Sequence, residues 1–227
     1  MIQKLTILFD LDGTLVNTAP DIMHAHNHVM KKYGYQERKL SDIKKLAGRG
    51  SKIMLTKSLH EIAELSGKIQ KTDDELEEMT KEFIDFYSKN IVKESTLKNG
   101  VLDFLTWCKK NSISMGVCTN KQEHLSIELL KKIKIYHFFD YVAGGNTFNH
   151  NKPDPKHLID TIEIIGGDIN KTLMIGDSET DSNASKAANI PFILIKDGYT
   201  EKKTNEIYHD YLVEDFIDLE KIIEKYI

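Results

Sequence analysis

Apolar residues along the chain fall into two rhythms. Short unbroken runs, rich in β-branched residues, stop abruptly at polar or glycine-containing turns. They are Leu5 to Phe9 before D-L-D-G, Ile113 to Cys118 before T-N, Thr172 to Ile175 before G-D, and Phe192 to Ile195 before K-D-G. A weaker run, Tyr141 to Ala143, ends at G-G-N-T. Runs of this length bounded by turn residues predict buried strands. Between them, apolar positions recur at helical spacing over Val101 to Lys110, Gln122 to Lys132, Pro155 to Ile165 and Asp181 to Ala188. Strand and helix in alternation predict an α/β fold, a Rossmann-like parallel sheet covered on both faces.

From about Asp21 to Ile91 the rhythm is helical only. Ile22, His26, Val29 and Tyr33 share one face, and Gly34 offers a stop. Ser41 is placed to cap a short helix ending near Leu46. The A-G-R-G-S segment then reads as a tight loop, and a second long helix carries Ile53, Met54, Leu59, Ile62 and Leu65. A third opens on a capping box, Thr72 to Glu75, and presents Leu76, Met79, Phe83, Phe86 and Tyr87. The expected organisation is a sheet domain of residues 1–16 and 93–227 with an α-helical cap, residues 17–92, inserted after the first strand. An insertion there can sit over the strand ends as a lid.

The polar residues at the strand ends converge. Parallel sheets bind ligands beyond the carboxyl ends of their strands, and Asp10, Asp12, Thr119, Asn120 and Asp177 all fall there. Asp10 and Asp12 follow a buried strand, and Gly13 permits a turn that aims both carboxylates into one cavity. Carboxylates so close repel unless a cation or a shared proton intervenes. Asp177 supplies a third oxygen, and an all-oxygen set with room for water and a phosphate suits Mg²⁺. Thr119 can donate to a phosphoryl oxygen, with backbone N–H groups near Asn120 adding donors. Lys152 adds a point charge that can neutralise a phosphoryl group.

Composition removes whole classes. The 227 residues are 40% hydrophobic and 29% charged with a net charge of −4, so no basic footprint for nucleic acid or a membrane surface is present. No apolar stretch approaches the roughly 18 residues of a membrane span. Cys108 and Cys118 form no C-x-x-C pair, which fits a reduced cytoplasmic setting, and Cys118 reads as an inert core thiol. His24 and His28 share a helix face without an acidic third ligand at useful spacing, so they predict no metal site. Of 31 basic residues only Arg38 and Arg49 are arginines. Arg38 falls in a polar connector with no evident task. Arg49 sits between two glycines, where its guanidinium can meet a carboxylate bidentately.

Four segments together resemble the haloacid dehalogenase superfamily of aspartate-nucleophile phosphatases. They are F-D-L-D-G-T-L-V-N-T at Phe9 to Thr18, V-C-T-N-K at Val117 to Lys121, N-K-P-D-P at Asn151 to Pro155, and G-D-S-E-T-D at Gly176 to Asp181. The resemblance implies that Asp10 attacks phosphorus and that Asp12 is the general acid and base. It implies that Thr119 and Lys152 hold the phosphoryl oxygens and that Mg²⁺ is bound by Asp10, Asp177 and the backbone carbonyl of Asp12, with Asp181 behind them. A carboxylate at Asp12 argues for phosphoryl transfer, since a halide leaving group needs no proton. N-T-A-P-D, A-G-R-G, G-G-N-T and D-G-Y-T look most like the phosphoglycolate phosphatases, with Arg49, Asn120, Thr119 and Lys152 contacting substrate. Asn146 and Asn189 depart from that pattern at positions not expected to touch the chemistry. The expected ligand is a small phosphorylated metabolite, and the expected assembly a monomer or homodimer. Pyrophosphatases, sugar-phosphate phosphatases, phosphosugar mutases and a catalytically idle binding member stay open as alternatives.

Overall fold

The strand runs become neighbours in one sheet. A computed structural model describes residues 4–66 and 72–227, and the side chain of Leu65, expected on a core face, lies outside what it describes. In chain order come β1 (Thr6–Phe9), β2 (Val16–Asn17), α1 (Ala19–Lys32), α2 (Leu40–Leu46), α3 (Ser51–Ser66), α4 (Asp73–Lys89) and β3 (Thr96–Leu97). Then follow α5 (Val101–Lys110), β4 (Ser114–Cys118), α6 (Glu123–Lys132), β5 (Tyr141–Ala143), α7 (Lys156–Ile165), β6 (Thr172–Gly176), α8 (Glu179–Ala187), β7 (Phe192–Ile195), β8 (Tyr211–Val213) and α9 (Leu219–Ile223).

The sheet has the order β5-β4-β1-β6-β7-β8, and every pairing is parallel. Alternation along the strands divides their side chains between two cores. Leu8, Cys118, Met174 and Leu194 pack with Leu158, Ile162 and Ala184 of α7 and α8. Ile7, Phe9, Val117, Ile175 and Ile193 join the larger core that also holds Phe104 and Leu219. Both faces are therefore dry, which explains why these strands read as continuous apolar runs.

The chain leaves the sheet domain through β2 and returns through β3, and the two pair antiparallel, Val16 with Leu97 and Asn17 with Thr96. Helices α1 to α4 lie between them. Buried Asp21, in the first turn of α1, clasps the returning segment. Its carboxylate accepts from the backbone N–H of Lys93 (3.1 Å), Glu94 (2.9 Å) and Ser95 (2.9 Å) and from the Ser95 hydroxyl (2.6 Å).

Some predicted boundaries shift. Ser41 does not cap α2: the helix starts at Leu40 after Lys39, because Asp42 reaches back to the Lys39 N–H. Helix α8 begins two residues before the predicted Asp181. Ser178 takes the N-cap position, and Asp181 Oδ2 accepts from its N–H at 3.1 Å. Short β8 and α9 carry too few residues to display a period and are not apparent from the sequence. Arg38, without a predicted task, binds Glu61 (2.9 Å) and the Ser58 carbonyl (3.0 Å), fastening the α1–α2 connector to α3.

Candidate active site

Strand register builds the site. Phe9 lies level with Val117 of β4 and Ile175 of β6, and the Asp10 N–H extends the ladder to the Ile175 carbonyl at 2.9 Å. Asp10, Thr119 and Asp177 therefore leave three adjacent strands at one edge of the sheet. The following turn requires glycine. Gly13 has φ +86°, and a Cβ there would lie 2.1 Å from Asp177 Oδ2.

Asp10, Asp177 and Asp181 are buried, and each offers an oxygen within 4.8 Å of the others. Lys152 lies among them, 3% exposed, with Nζ 2.8 Å from Asp10 Oδ1 and 2.6 Å from Asp181 Oδ1. Asp177 accepts from the Thr14 hydroxyl (3.0 Å) and the Tyr199 N–H (2.6 Å). Burial pushes Asp10 up to about 7, against the pull of Lys152 and with added repulsion from Asp181 and Asp12. Burial and the negative charges of Asp10 and Asp181 also hold Asp177 well above the ordinary carboxylate range. Burial pulls the Lys152 ammonium down, but Asp10 and Asp181 outweigh it and raise it above its usual value. Three buried carboxylates against one ammonium leave a negative excess that a hard cation would offset. The donors are all oxygen, so the residues fit Mg²⁺. Asp181 accepts from Lys152 Nζ on Oδ1 and from the Ser178 hydroxyl on Oδ2 at 2.7 Å.

The Asp12 carboxylate stands outside that cluster. It accepts from the Thr18 hydroxyl (2.7 Å) and receives Lys121 Nζ on Oδ2 (2.8 Å) and Oδ1 (2.9 Å). Lys121 also sits 4.5 Å from the centre of the Tyr87 ring, on α4. Burial pulls this ammonium down, but Asp12 and then Tyr87 raise it overall. No role is read for Lys121 in the sequence, although it closes the V-C-T-N-K segment. Its place two residues beyond Thr119, on the same strand exit, is the signal that could have found it.

Thr119 follows β4, with its N–H bonded to the Ala143 carbonyl at 2.9 Å and its hydroxyl accepting from the Lys121 N–H at 3.3 Å. Asn120 does more than supply backbone donors. Its amide donates to the Lys152 carbonyl (2.9 Å) and to the Gly48 carbonyl (3.3 Å), tying the helical insertion to the sheet domain. Its Oδ1 is buried and has no hydrogen-bond partner in the protein.

Asp10, Asp12, Thr119, Asn120 and Lys121 line a cavity of about 490 Å³. The sheet side contributes Asp10, Asp12, Thr119 and Lys121, and the helices contribute Met54, Phe83 and Tyr87. Arg49 reaches it from the loop after α2, where Gly48 and Gly50 have φ +91° and +90°. The guanidinium is not free: it lies 2.7 Å from Glu179 Oε1. Glu179 also accepts from the Thr200 hydroxyl at 2.6 Å. Burial raises the Glu179 carboxyl, yet Thr200 and Arg49 bring it below its ordinary value. Asn146 lines the cavity, and its side chain accepts from the Glu123 N–H at 2.8 Å. Asn189, with φ +57°, turns the chain from α8 toward β7.

Three histidines of α1 have protein partners. His24 pairs with Glu94 (3.1 Å), His28 with Glu82 (2.9 Å), and buried His26 with Ser58 (3.0 Å). Cys118 is buried, and that burial pushes its thiol up to about 12, which leaves it inert.

Residues 7–195 match the family described as haloacid dehalogenase-like hydrolase. The chain belongs to this family. Among its relatives, a phosphoglycolate phosphatase of Mesorhizobium japonicum is 33% identical over 210 residues, covering 92% of this chain and 90% of the relative. A phosphoglycolate phosphatase of Agrobacterium fabrum is 32% identical over 223 residues, covering 96% and 94%. The crystal structure of a predicted phosphoglycolate phosphatase from Haemophilus somnus superposes with a TM-score of 0.91 at 26% identity, covering 98% of this chain and 99% of that one. The parallel sheet and helical insertion of this haloacid dehalogenase-like hydrolase are thus shared along nearly the whole chain. No described helix is long and apolar enough to cross a membrane.

Proposed function

We propose that this hydrolase is a Mg²⁺-dependent phosphomonoesterase that forms an aspartyl-phosphate and acts on 2-phosphoglycolate. One observation carries the reading: Asp10 stands buried beside Lys152, with Asp177 and Asp181 around it and Asp12 next to it on the same turn. Asp10, Asp177 and the main-chain carbonyl of Asp12 would hold Mg²⁺, which when bound supplies charge neutralisation for the phosphoryl oxygens. Asp10 attacks phosphorus; the ester P–O bond breaks, and the leaving alkoxide takes a proton from Asp12. Water then attacks the acyl phosphate and gives its proton to Asp12, which releases inorganic phosphate and regenerates Asp10. Thr119 and Lys152 hold the phosphoryl oxygens during both displacements. Arg49 receives the substrate carboxylate by exchanging Glu179 for it. Relatives named phosphoglycolate phosphatase along almost the full chain support that choice of ester.

The test is a panel of phosphate esters assayed side by side with wild type and Asp10→Asn. 2-Phosphoglycolate should give the highest kcat/KM of the panel. Asp10→Asn should keep the fold by circular dichroism and lose phosphate release. Turnover retained in Asp10→Asn removes the nucleophile assignment, and a better ester removes the substrate assignment.

A further inference from the structure

Tyr199 lies in D-G-Y-T, the loop after β7, and is 3% exposed. Its two ends hold two different parts of the molecule. The backbone N–H donates to Asp177 Oδ2 at 2.6 Å. The ring crosses to the neck of the insertion. There its hydroxyl accepts from the Ala19 N–H at 2.7 Å and donates to Asn17 Oδ1 at 2.9 Å. Ala19 is the first residue of α1, and Asn17 ends β2.

The sequence around α1 explains why a distant tyrosine is needed. The first N–H groups of a helix have no partner within the helix and call for a side chain at the N-cap. Thr18 occupies that position and makes no such bond; its hydroxyl donates to Asp12 at 2.7 Å. Tyr199 supplies the missing acceptor from across the molecule. The loop is also packed closely on the carboxylate it serves: a Cβ at Gly198 would lie 2.4 Å from Asp177 Cβ. Its next two residues hold the insertion too. Thr200 bonds Glu179, the partner of Arg49, and Glu201 pairs with Lys57 of α3 at 2.5 Å.

We infer that Tyr199 is a positioning residue that couples the carboxylate site at Asp177 to the neck of the helical insertion. Ordering Asp177 orders the Tyr199 main chain, and the ring carries that order to Asn17 and Ala19. By linkage, fixing the neck favours the Asp177 geometry in return. The inference rests on the reading of Asp10 and Asp177 as cation ligands.

Hydrogen–deuterium exchange of the whole chain, with and without Mg²⁺ alone, tests the coupling. In wild type, Mg²⁺ should slow exchange at residues 10–13 and 176–178. It should also slow residues 17–22, by about threefold or more, although these lie at the neck and offer no ligand to the cation cluster. Tyr199→Phe keeps the ring and the N–H to Asp177 and removes only the hydroxyl. It should retain the Mg²⁺ effect at 10–13 and 176–178 and lose it at 17–22. Asn17→Ala, which breaks the tether from its other end, should weaken the same effect. The ratio of rates with and without Mg²⁺ separates coupling from stability, since a purely structural loss speeds exchange equally in both conditions. Neck slowing that persists in both variants, or that is missing from wild type when calorimetry shows Mg²⁺ bound, overturns the tether. Calorimetry that detects no Mg²⁺ binding instead overturns the cation reading, and the coupling falls with it.

Discussion

Lys121 Nζ lies 2.8 Å and 2.9 Å from the two Asp12 oxygens, so one ammonium spans the whole carboxylate that would serve the leaving group. Lys121 must yield at least one of those oxygens before it can face an ester. Replacing it removes both the aim and the paired charge of Asp12. Lys121→Met should lower kcat by roughly a hundredfold, the lower end of what a positioned general acid contributes, with a much smaller change in KM. Steady-state kinetics on 2-phosphoglycolate checks this, and an unchanged kcat removes Lys121 from the machinery.

Arg49 and Glu179 form an ion pair across the mouth of the cavity, with the arginine side chain still 46% exposed. The arginine end is exposed while Glu179 is buried and keeps its bond from Thr200, so Arg49→Ala should lower the melting temperature only slightly. Its effect should appear in recognition. KM for 2-phosphoglycolate should rise about tenfold or more, while KM for p-nitrophenyl phosphate, which lacks a carboxylate, should hardly move. Equal changes for both esters refute the carboxylate assignment.

Removing the cation should be reversible and visible in two ways. EDTA should stop phosphate release and Mg²⁺ should restore it. Mg²⁺ should also raise the unfolding midpoint, since a ligand present at a hundred times its Kd adds about 2.7 kcal/mol to the native state. A metal-stripped preparation that turns over at the full rate contradicts the cation requirement.

His26 gives the pH dependence. It is fully buried against Ser58, and burial holds its ring down to about 4 from the usual 6.5, with the Asn27 contact opposing and Arg38 assisting. The unfolded chain therefore binds a proton below about 6.5 that the native state refuses until about 4. Stability is lost as pH falls through that window and is fully retained above it. Between pH 7 and 5 this one group should cost about 2 kcal/mol. Urea midpoints at the two pH values, for wild type and His26→Gln, measure its share. A slope that His26→Gln leaves unchanged would assign the acid sensitivity to other groups.

The sheet and its strand ends were legible in the sequence because burial on both faces writes strands as unbroken apolar runs, and because each run stops at a polar residue. Asp10, Asp12, Thr119, Asn120 and Asp177 are legible that way and Lys152 by its place before P-D-P, and the structure brings them to one sheet edge. Lys121 was not, since one lysine among 29 carries no signal until its strand exit is seen beside Asp12. Asp21 and Tyr199 were missed for a different reason. Asp21 accepts from the Ser95 main-chain N–H, the Tyr199 hydroxyl accepts from that of Ala19, and the Tyr199 N–H donates to the Asp177 carboxylate; no residue pattern announces such main-chain bonds. The Arg49 partner, Glu179, depends on how the insertion sits over α8, which local spacing does not encode.

The place of β1 in the sheet has a consequence for how the chain is made. Thr6 is synthesised well before either of its partners, Ser114 on one side and Thr172 on the other. The insertion lengthens that wait, so the most buried strand stays unpartnered while roughly a hundred residues emerge after it. An exposed Thr-Ile-Leu-Phe run is the kind of edge that attracts other chains. During translation the nascent protein thus carries its greatest aggregation hazard in the segment that ends as the sheet's centre, and helices α1 to α4, whose contacts are local, have time to form before β1 finds its neighbours.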